Sequence, residues 1–220
     1  VHVPYEYSVL LASSRKNNED RAVVFEHGDD VVVVVADGAG GMRGGGTASD
    51  AVVSTVTSVI GSVGFDIADD QVWKKFLGGL DVELAQAMVG ETTAVVVAIT
   101  SARIIGVSVG DSEAWVITDT GIDDVTRGQN KSRLGSGRAS PVSFFRPRLE
   151  GTLVVGSDGL FRYAKMESVA EAVRGRAPAK AAEELRGLVV LPSGQYQDDL
   201  GLVVVREAHS GLPAERRTDG

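Results

Sequence analysis

Five consecutive valines, Val31 to Val35, run into Ala36 and then into Asp37-Gly38. This segment constrains the chain more than any other. β-Branched side chains lose freedom in a helix and pack well on a pleated strand, and an apolar run without polar alternation suits a strand buried on both faces. Such a strand needs a packed layer above it and another below it. The 220 residues, 43% of them hydrophobic, hold enough apolar material for one sizeable domain and are few for two. No apolar run approaches the ~20 residues that a bilayer span requires.

Around this strand the pattern is legible in both directions. Tyr5 to Ser13 and Arg21 to Glu26 read as strands, and His27 to Asp30 as the turn into Val31 to Ala36. A glycine-rich stretch to Gly46 follows, then a helical pattern from Thr47 to Ile60 that Thr47 or Ser49 could cap. Asp69 and Asp70 can cap a second helix running to about Met88. A meander of three strands comes next, over Thr93 to Thr100, Arg103 to Val109 and Glu113 to Thr118. Residues 119–150 are polar and weakly periodic and read mostly as loop. Leu153 to Gly156 is a short strand, Lys165 to Arg174 and Pro178 to Val189 fit helices, and Leu200 to Val205 fits a last strand. Strands and helices come in blocks, not in βαβ alternation, so the expected class is α+β with antiparallel sheets. A single domain over residues 1–207 and a frayed polar tail over 208–220 complete the expected organisation.

Composition narrows the chemistry. There is no cysteine, which excludes disulfides, zinc–thiolate sites and thiol nucleophiles, and makes a reducing, cytoplasmic setting the expectation. The first residues lack the basic and then apolar pattern of a secretory signal. The three histidines, His2, His27 and His209, are scattered, so imidazole-based catalysis is a poor candidate. The net charge of -8 and the lack of a basic patch argue against a nucleic-acid partner.

Three aspartates share a placement. Asp37 and Asp158 each follow an apolar strand and precede a glycine, and Asp198 stands just before the last strand. Gathering buried carboxylates is unfavourable through repulsion and lost hydration, unless a divalent cation offsets it. Oxygen-only donors select a hard ion such as Mg²⁺ or Mn²⁺. Asp-Gly also forms turns for purely local reasons. Recurrence at several strand ends, with no adjacent Lys or Arg, tips the balance toward a site. A dinucleotide-binding loop fails on spacing, because Arg43 stands where a third glycine is required. No Lys-Ser or Lys-Thr pair completes a P-loop.

The motifs, in order, resemble those of the metal-dependent protein phosphatases, the type 2C serine/threonine phosphatases. Arg15-Lys16-Asn17-Asn18-Glu19-Asp20, Asp37-Gly38-Ala39-Gly40-Gly41, Glu91-Thr92-Thr93, Gly110-Asp111-Ser112, Ser157-Asp158-Gly159-Leu160 and Asp198-Asp199-Leu200-Gly201 carry the resemblance over roughly residues 5–206. It implies a central sandwich of two antiparallel sheets flanked by helices on both sides, with the metal site at one end. It further implies two Mn²⁺ or Mg²⁺ ions, with Asp37 bridging them, the Gly38 carbonyl on one, and Asp158 and Asp198 on the other. Glu19 and Asp20 would act through bound water, Arg15 would hold the substrate phosphate, and Asp111 with Asp158 would hold a weaker third ion. For Asp111 a plain turn role is equally compatible. The reaction implied is attack on a phosphomonoester, most naturally phosphoserine or phosphothreonine on a protein, by a hydroxide bridging the two cations. A monomer without membrane attachment is expected.

Departures from the family pattern keep two other readings in view: a small-molecule phosphate-ester phosphatase, and a catalytically weak module that binds a phosphorylated partner. Ala39 stands where some members have histidine, and Gly201 replaces the usual threonine. The 119–150 region, where the family has a longer mobile flap, is short and carries Arg127, Lys131, Arg133, Arg138, Arg146 and Arg148. A solvated basic loop is the plain reading, and a rim that attracts an anionic substrate is the functional one.

Overall fold

The structure is a computed structural model that describes residues 4–39 and 44–208. The expected frayed tail, apart from Ala208, and the Gly40-Gly41 part of the second motif lie outside the described residues. Among the described residues, ten strands form two five-stranded antiparallel sheets. The first has the order β1-β10-β9-β6-β7, built from β1 (Tyr5–Ala12), β10 (Leu200–Glu207), β9 (Thr152–Gly156), β6 (Glu113–Ile117) and β7 (Ile122–Asp124). The second has the order β2-β3-β4-β5-β8, from β2 (Asp20–His27), β3 (Asp30–Asp37), β4 (Ala94–Ile99), β5 (Ile104–Val109) and β8 (Val142–Arg146).

The valine run performs as its composition demands. Val31, Val33 and Val35 point between the sheets, packing with Val95, Val97, Val203, Val205 and Leu153. Val32, Val34 and Ala36 point outward to α1 (Gly45–Val59) and α2 (Asp70–Ala87), where Val52, Val56, Trp73 and Leu77 cover them. On the far side, α4 (Met166–Val173) and α5 (Pro178–Val189) cover Trp115, Val154, Leu202 and Val204 of the first sheet. The result is a helix–sheet–sheet–helix stack, the α+β sandwich expected from the element order.

Three details differ from the sequence reading. Helix α1 is capped by neither Thr47 nor Ser49. The chain enters it through Gly44 in the left-handed region (φ 99°), so the first turn starts two residues early, with no side-chain cap. Ser49 Oγ instead donates to Glu19 O (2.6 Å) and Gly46 O (3.0 Å). The 119–150 region contains β7 and β8, too short and too exposed to impose a clear period, at the outer edges of the two sheets. Ser157-Asp158 opens a single helical turn, α3 (Asp158–Phe161), directly after β9.

Antiparallel pairing decides where the chemistry gathers. Asp20 opposes Asp37 at one end of β2 and β3, and Val35 opposite Val95 brings Thr93 beside Asp37. In the other sheet, Gly156 lies opposite both Glu113 and Leu202, and Ala12 opposite Leu200. All the motif segments therefore emerge at the same end of the stack.

Candidate active site

Asp20, Asp37, Asp158, Asp198 and Asp199, with Glu19, line one cavity of about 170 Å³ at that end, together with Gly38, Ala39, Arg15, Arg133 and Arg162. A larger cleft, about 490 Å³, sits near the opposite end between Arg103, Phe145 and the start of α2, and its three aspartates are not buried. Of these two, the smaller cavity is the one that collects charge from several separate strand ends.

Backbone geometry requires the glycines here. A Cβ on Gly38 would lie 2.4 Å from the Gly45 carbonyl carbon, and one on Gly159 would lie 1.9 Å from Asp199 O. Each Asp-Gly pair thus marks a point where two main chains touch, which explains the motif physically. At Gly201 the space is tight but not closed. A Cβ there would approach Asp20 Cβ to 3.2 Å, so Asp20 would have to give by a few tenths of an ångström.

Asp37 is held by its backbone. Its N–H donates to Thr93 Oγ1 (3.0 Å), and its carbonyl accepts from Thr93 N (2.8 Å) and Thr92 Oγ1 (2.9 Å). Thr93 Oγ1 in turn shares a 2.6 Å hydrogen bond with the buried Ser112 hydroxyl. Ser157 Oγ accepts from Gly201 N (3.0 Å). Ser112 and Ser157 therefore brace the strand ends, and the side chain of Asp37 is left to face the cavity.

Crowding of the carboxylates appears in their protonation. Burial, reinforced by the charges of Asp20, Asp158 and Asp111, pushes the Asp37 carboxyl up to about 9. Burial, with the charges of Asp199 and Asp158, pushes Asp20 up to about 7. Asp158 is raised as well, by burial and then by Asp198 and Asp111. Asp20 Oδ2 and Asp111 Oδ1 are buried with no hydrogen-bond partner.

These are properties of an oxygen donor set that needs a counter-cation, and the residues fit divalent ions. Among the described residues no three acidic or histidine side chains close into a ligand cage. The carboxylates instead line an open cavity. That suits ions of the Mg²⁺ type, which keep much of their water and take few protein ligands each.

Asp199 organises one wall. Its Oδ1 accepts from Ser14 N (2.8 Å), Ser14 Oγ (2.9 Å) and Ser13 Oγ (3.2 Å), and its Oδ2 from Glu19 N (2.8 Å). Burial works against the charge of Asp199, but these donors outweigh it and hold the carboxyl below its ordinary value. The loop they fix carries Arg15, which is half-exposed at the mouth, 3.8 Å from Glu19 and 3.9 Å from Asp198. Both distances exceed a hydrogen bond, so the guanidinium keeps donors for another anion.

Sequence reasoning singled out Arg15, Glu19, Asp20, Asp37, Gly38, Asp158 and Asp198, and the structure brings all of them to the cavity. Asp111 lies in an adjoining pocket that shares Asp158 and Arg162 with it. Asp199 and Arg162 were missed as site residues. Asp199 stood inside a quoted motif, whereas Arg162 had no sequence signal. Of the basic residues in 119–150, Arg133 reaches the cavity and Lys131 the adjoining pocket, while Arg146 pairs with Asp123 and Arg148 with Glu150.

A two-sheet stack with an arginine-rimmed carboxylate cavity at one end defines a phosphatase-type architecture. Residues 12–134 match the family model described as Protein phosphatase 2C, and the chain belongs to that family. The Asp158 and Asp198 motifs lie beyond the matched span, and the fold returns them to the same cavity. A bacterial serine phosphatase superposes with a TM-score of 0.81 at 19% identity, covering 94% of this chain and 98% of that one. The serine/threonine phosphatase Stp1 from Staphylococcus aureus gives 0.78 at 17% identity, covering 94% and 96%. The catalytic domain of the serine threonine protein phosphatase PstP, solved with two manganese ions, gives 0.74 at 20%, covering 91% and 97%. A comparison with curated proteins finds no match. No helix among the described residues is long and apolar enough to cross a membrane.

Proposed function

We propose that this protein hydrolyses phosphoserine and phosphothreonine on protein substrates, using two divalent cations, Mn²⁺ or Mg²⁺. The observation that carries this reading is the convergence of Asp20, Asp37, Asp158 and Asp198, from separate strand ends, on one cavity with Arg15 at its mouth. Asp37 would bridge the ions, the Gly38 carbonyl would serve one, and Asp158 and Asp198 the other. Glu19 and Asp20 would act through ordered water, and the unpartnered Asp20 Oδ2 is available to accept from it. When bound, the ions would lower the pKa of a shared water toward neutrality and neutralise charge on the phosphoryl oxygens.

The chain itself contributes positioning. Arg15 presents a planar fork that can pair two phosphate oxygens, which a lysine cannot do. Thr92, Thr93 and Ser112 lock the backbone of Asp37, and Asp199 locks the loop of Arg15, so both charges are preorganised. Ala39 has no proton to donate, so the leaving alkoxide would take its proton from water or from another residue. Residues 1–207 act as one phosphatase domain, a reading supported by the β1–β10 ladder from Tyr5↔Glu207 to Ala12↔Leu200, which joins the two ends of the chain.

The test is hydrolysis of p-nitrophenyl phosphate and of a phosphothreonine peptide by EDTA-stripped protein, with and without Mn²⁺. Metal-dependent turnover of both, removed by Asp37→Asn, is the expected result. A folded protein with no turnover on either substrate would instead indicate a phospho-partner binding module, and turnover of the small ester alone would indicate a small-molecule phosphatase.

A further inference from the structure

Cations are already built in around Asp111. In the main cavity, six carboxylates (Glu19, Asp20, Asp37, Asp158, Asp198 and Asp199) face only three arginines. The adjoining pocket is different: its acids Asp111, Glu113 and Asp158 share it with Lys131 and Arg162. Arg133 Nη2 lies 3.8 Å from Asp111 Oδ2, and Arg162 Nη1 lies 3.7 Å from Asp158 Oδ2. Asp111 and Asp158, the two acids nearest the main cavity, thus each have a guanidinium within 4 Å. The main cavity retains a deficit that bound cations would make up.

The backbone that carries Arg133 is firmly held. Its neighbour Leu134 is fully buried in the α1–α2 core. Leu134 N donates to Thr92 O (2.9 Å) and Leu134 O accepts from Thr92 N (3.0 Å), and Thr92 Oγ1 donates to Asp37 O. Beyond it, the buried Asp81 carboxylate of α2 accepts from Gly135 N (2.8 Å), Gly137 N (3.0 Å) and Ala139 N (2.9 Å). On the other side Gly110 N donates to Asn130 O (2.9 Å), so the 130–139 segment is pinned at both flanks of Arg133 and tied through Thr92 to Asp37.

We infer that Arg133, seconded by Arg162, takes the place of a third cation beside Asp111 and keeps the complement of tightly held ions at two. The inference rests on the metal-dependent reading above and sets this chain apart from the three-ion expectation drawn from its motifs. Asp111 Oδ1 is buried and unpartnered, so removing the arginine would leave both of its oxygens free for an ion. Arg133 is a positioning residue whose guanidinium faces Asp111 across 3.8 Å, and it puts positive charge where an ion would otherwise be needed.

The test is equilibrium dialysis of the full chain against Mn²⁺, with bound metal counted by atomic emission. Wild type, Arg133→Gln, Arg133→Ala and Arg133→Gln/Asp111→Asn are compared, with circular dichroism to verify folding. The wild type should saturate at two ions. Both single variants should show a third uptake step at a concentration at least about ten-fold below any further uptake by the wild type, as expected for about 1.4 kcal/mol. The double variant should return to two. Three ions on the wild type, or two on the single variants, would overturn the inference while leaving the phosphatase reading intact. No Mn²⁺ uptake by the wild type would overturn both.

Discussion

Asp20 and Asp37 stand directly opposite each other at the end of the β2–β3 ladder away from its turn, one carboxylate buried and the other partly buried beside the cavity. Like charges opposed across a strand pair destabilise it. The arrangement becomes favourable when a cation sits between or beside them. The first prediction follows from this. Asp37→Asn should lower turnover by roughly 10³-fold, through loss of a group that holds both ions. It should leave the melting temperature of the metal-free protein unchanged or higher, because an amide is neutral without the proton uptake that the crowded Asp37 carboxyl needs on folding. Activity assays beside thermal melts in EDTA check both halves, and a large fall in metal-free stability would contradict the account.

The same two groups set a pH dependence for the metal-free protein. Their carboxyls lie at about 7 (Asp20) and about 9 (Asp37) when folded, against about 4 in an unfolded chain. Raised folded values mean that the native state holds protons which the unfolded state has released. Stability should therefore fall as pH rises from about 4 toward 9. Melts in EDTA at pH 5, 7 and 9 should show a steady decline. Added Mn²⁺ should raise the melting temperature most at pH 9, and its binding at pH 7 should release protons measurable in a weakly buffered titration.

Asp199 should behave unlike its neighbour Asp198. Asp199→Ala removes an acceptor used by Ser13, Ser14 and Glu19, and should destabilise the fold by about 2–4 kcal/mol. It should also raise KM for a phosphorylated substrate by roughly 10–100-fold, since Arg15 rides on the loop it fixes. Asp198→Ala should weaken metal binding with little loss of metal-free stability. Denaturant unfolding and Mn²⁺ titration of both variants separate the two roles.

Asp81→Ala should release the 130–139 segment. Three amide donors would lose a buried acceptor, at about 2–4 kcal/mol. Hydrogen exchange should accelerate at Gly135, Gly137 and Ala139 and stay slow in β3 and β4. Uniform acceleration across the chain would show that Asp81 supports the whole fold, not this segment.

Much of this was legible before any coordinates. The period of two in the outer strands, the β-branched run of β3 and the Asp69 cap of α2, which accepts from Gln71 N, are local properties that neighbouring residues specify. The site was legible in part for a related reason. Asp-Gly after an apolar strand is a local pattern, and its recurrence in family order pointed to Asp37 and Asp158. Helix α1 was misread at its start because the left-handed Gly44 was not recognisable among so many glycines. Strands β7 and β8 were missed because three to five half-exposed residues carry no dependable period.

The element types and the chemistry of the donor set are thus written in short stretches of chain, where side-chain shape and spacing act over one strand or one helical turn. The meeting of Asp20 with Asp37, the four donors on Asp199, the anchoring of Leu134 against Thr92 and the facing of Asp111 by Arg133 arise between segments far apart in sequence. They depend on strand register and on packing of a valine-filled core, and a one-residue slip in either sheet would send the same side chains to the other face. Linear order names the participants, and only the closed stack gives them distances.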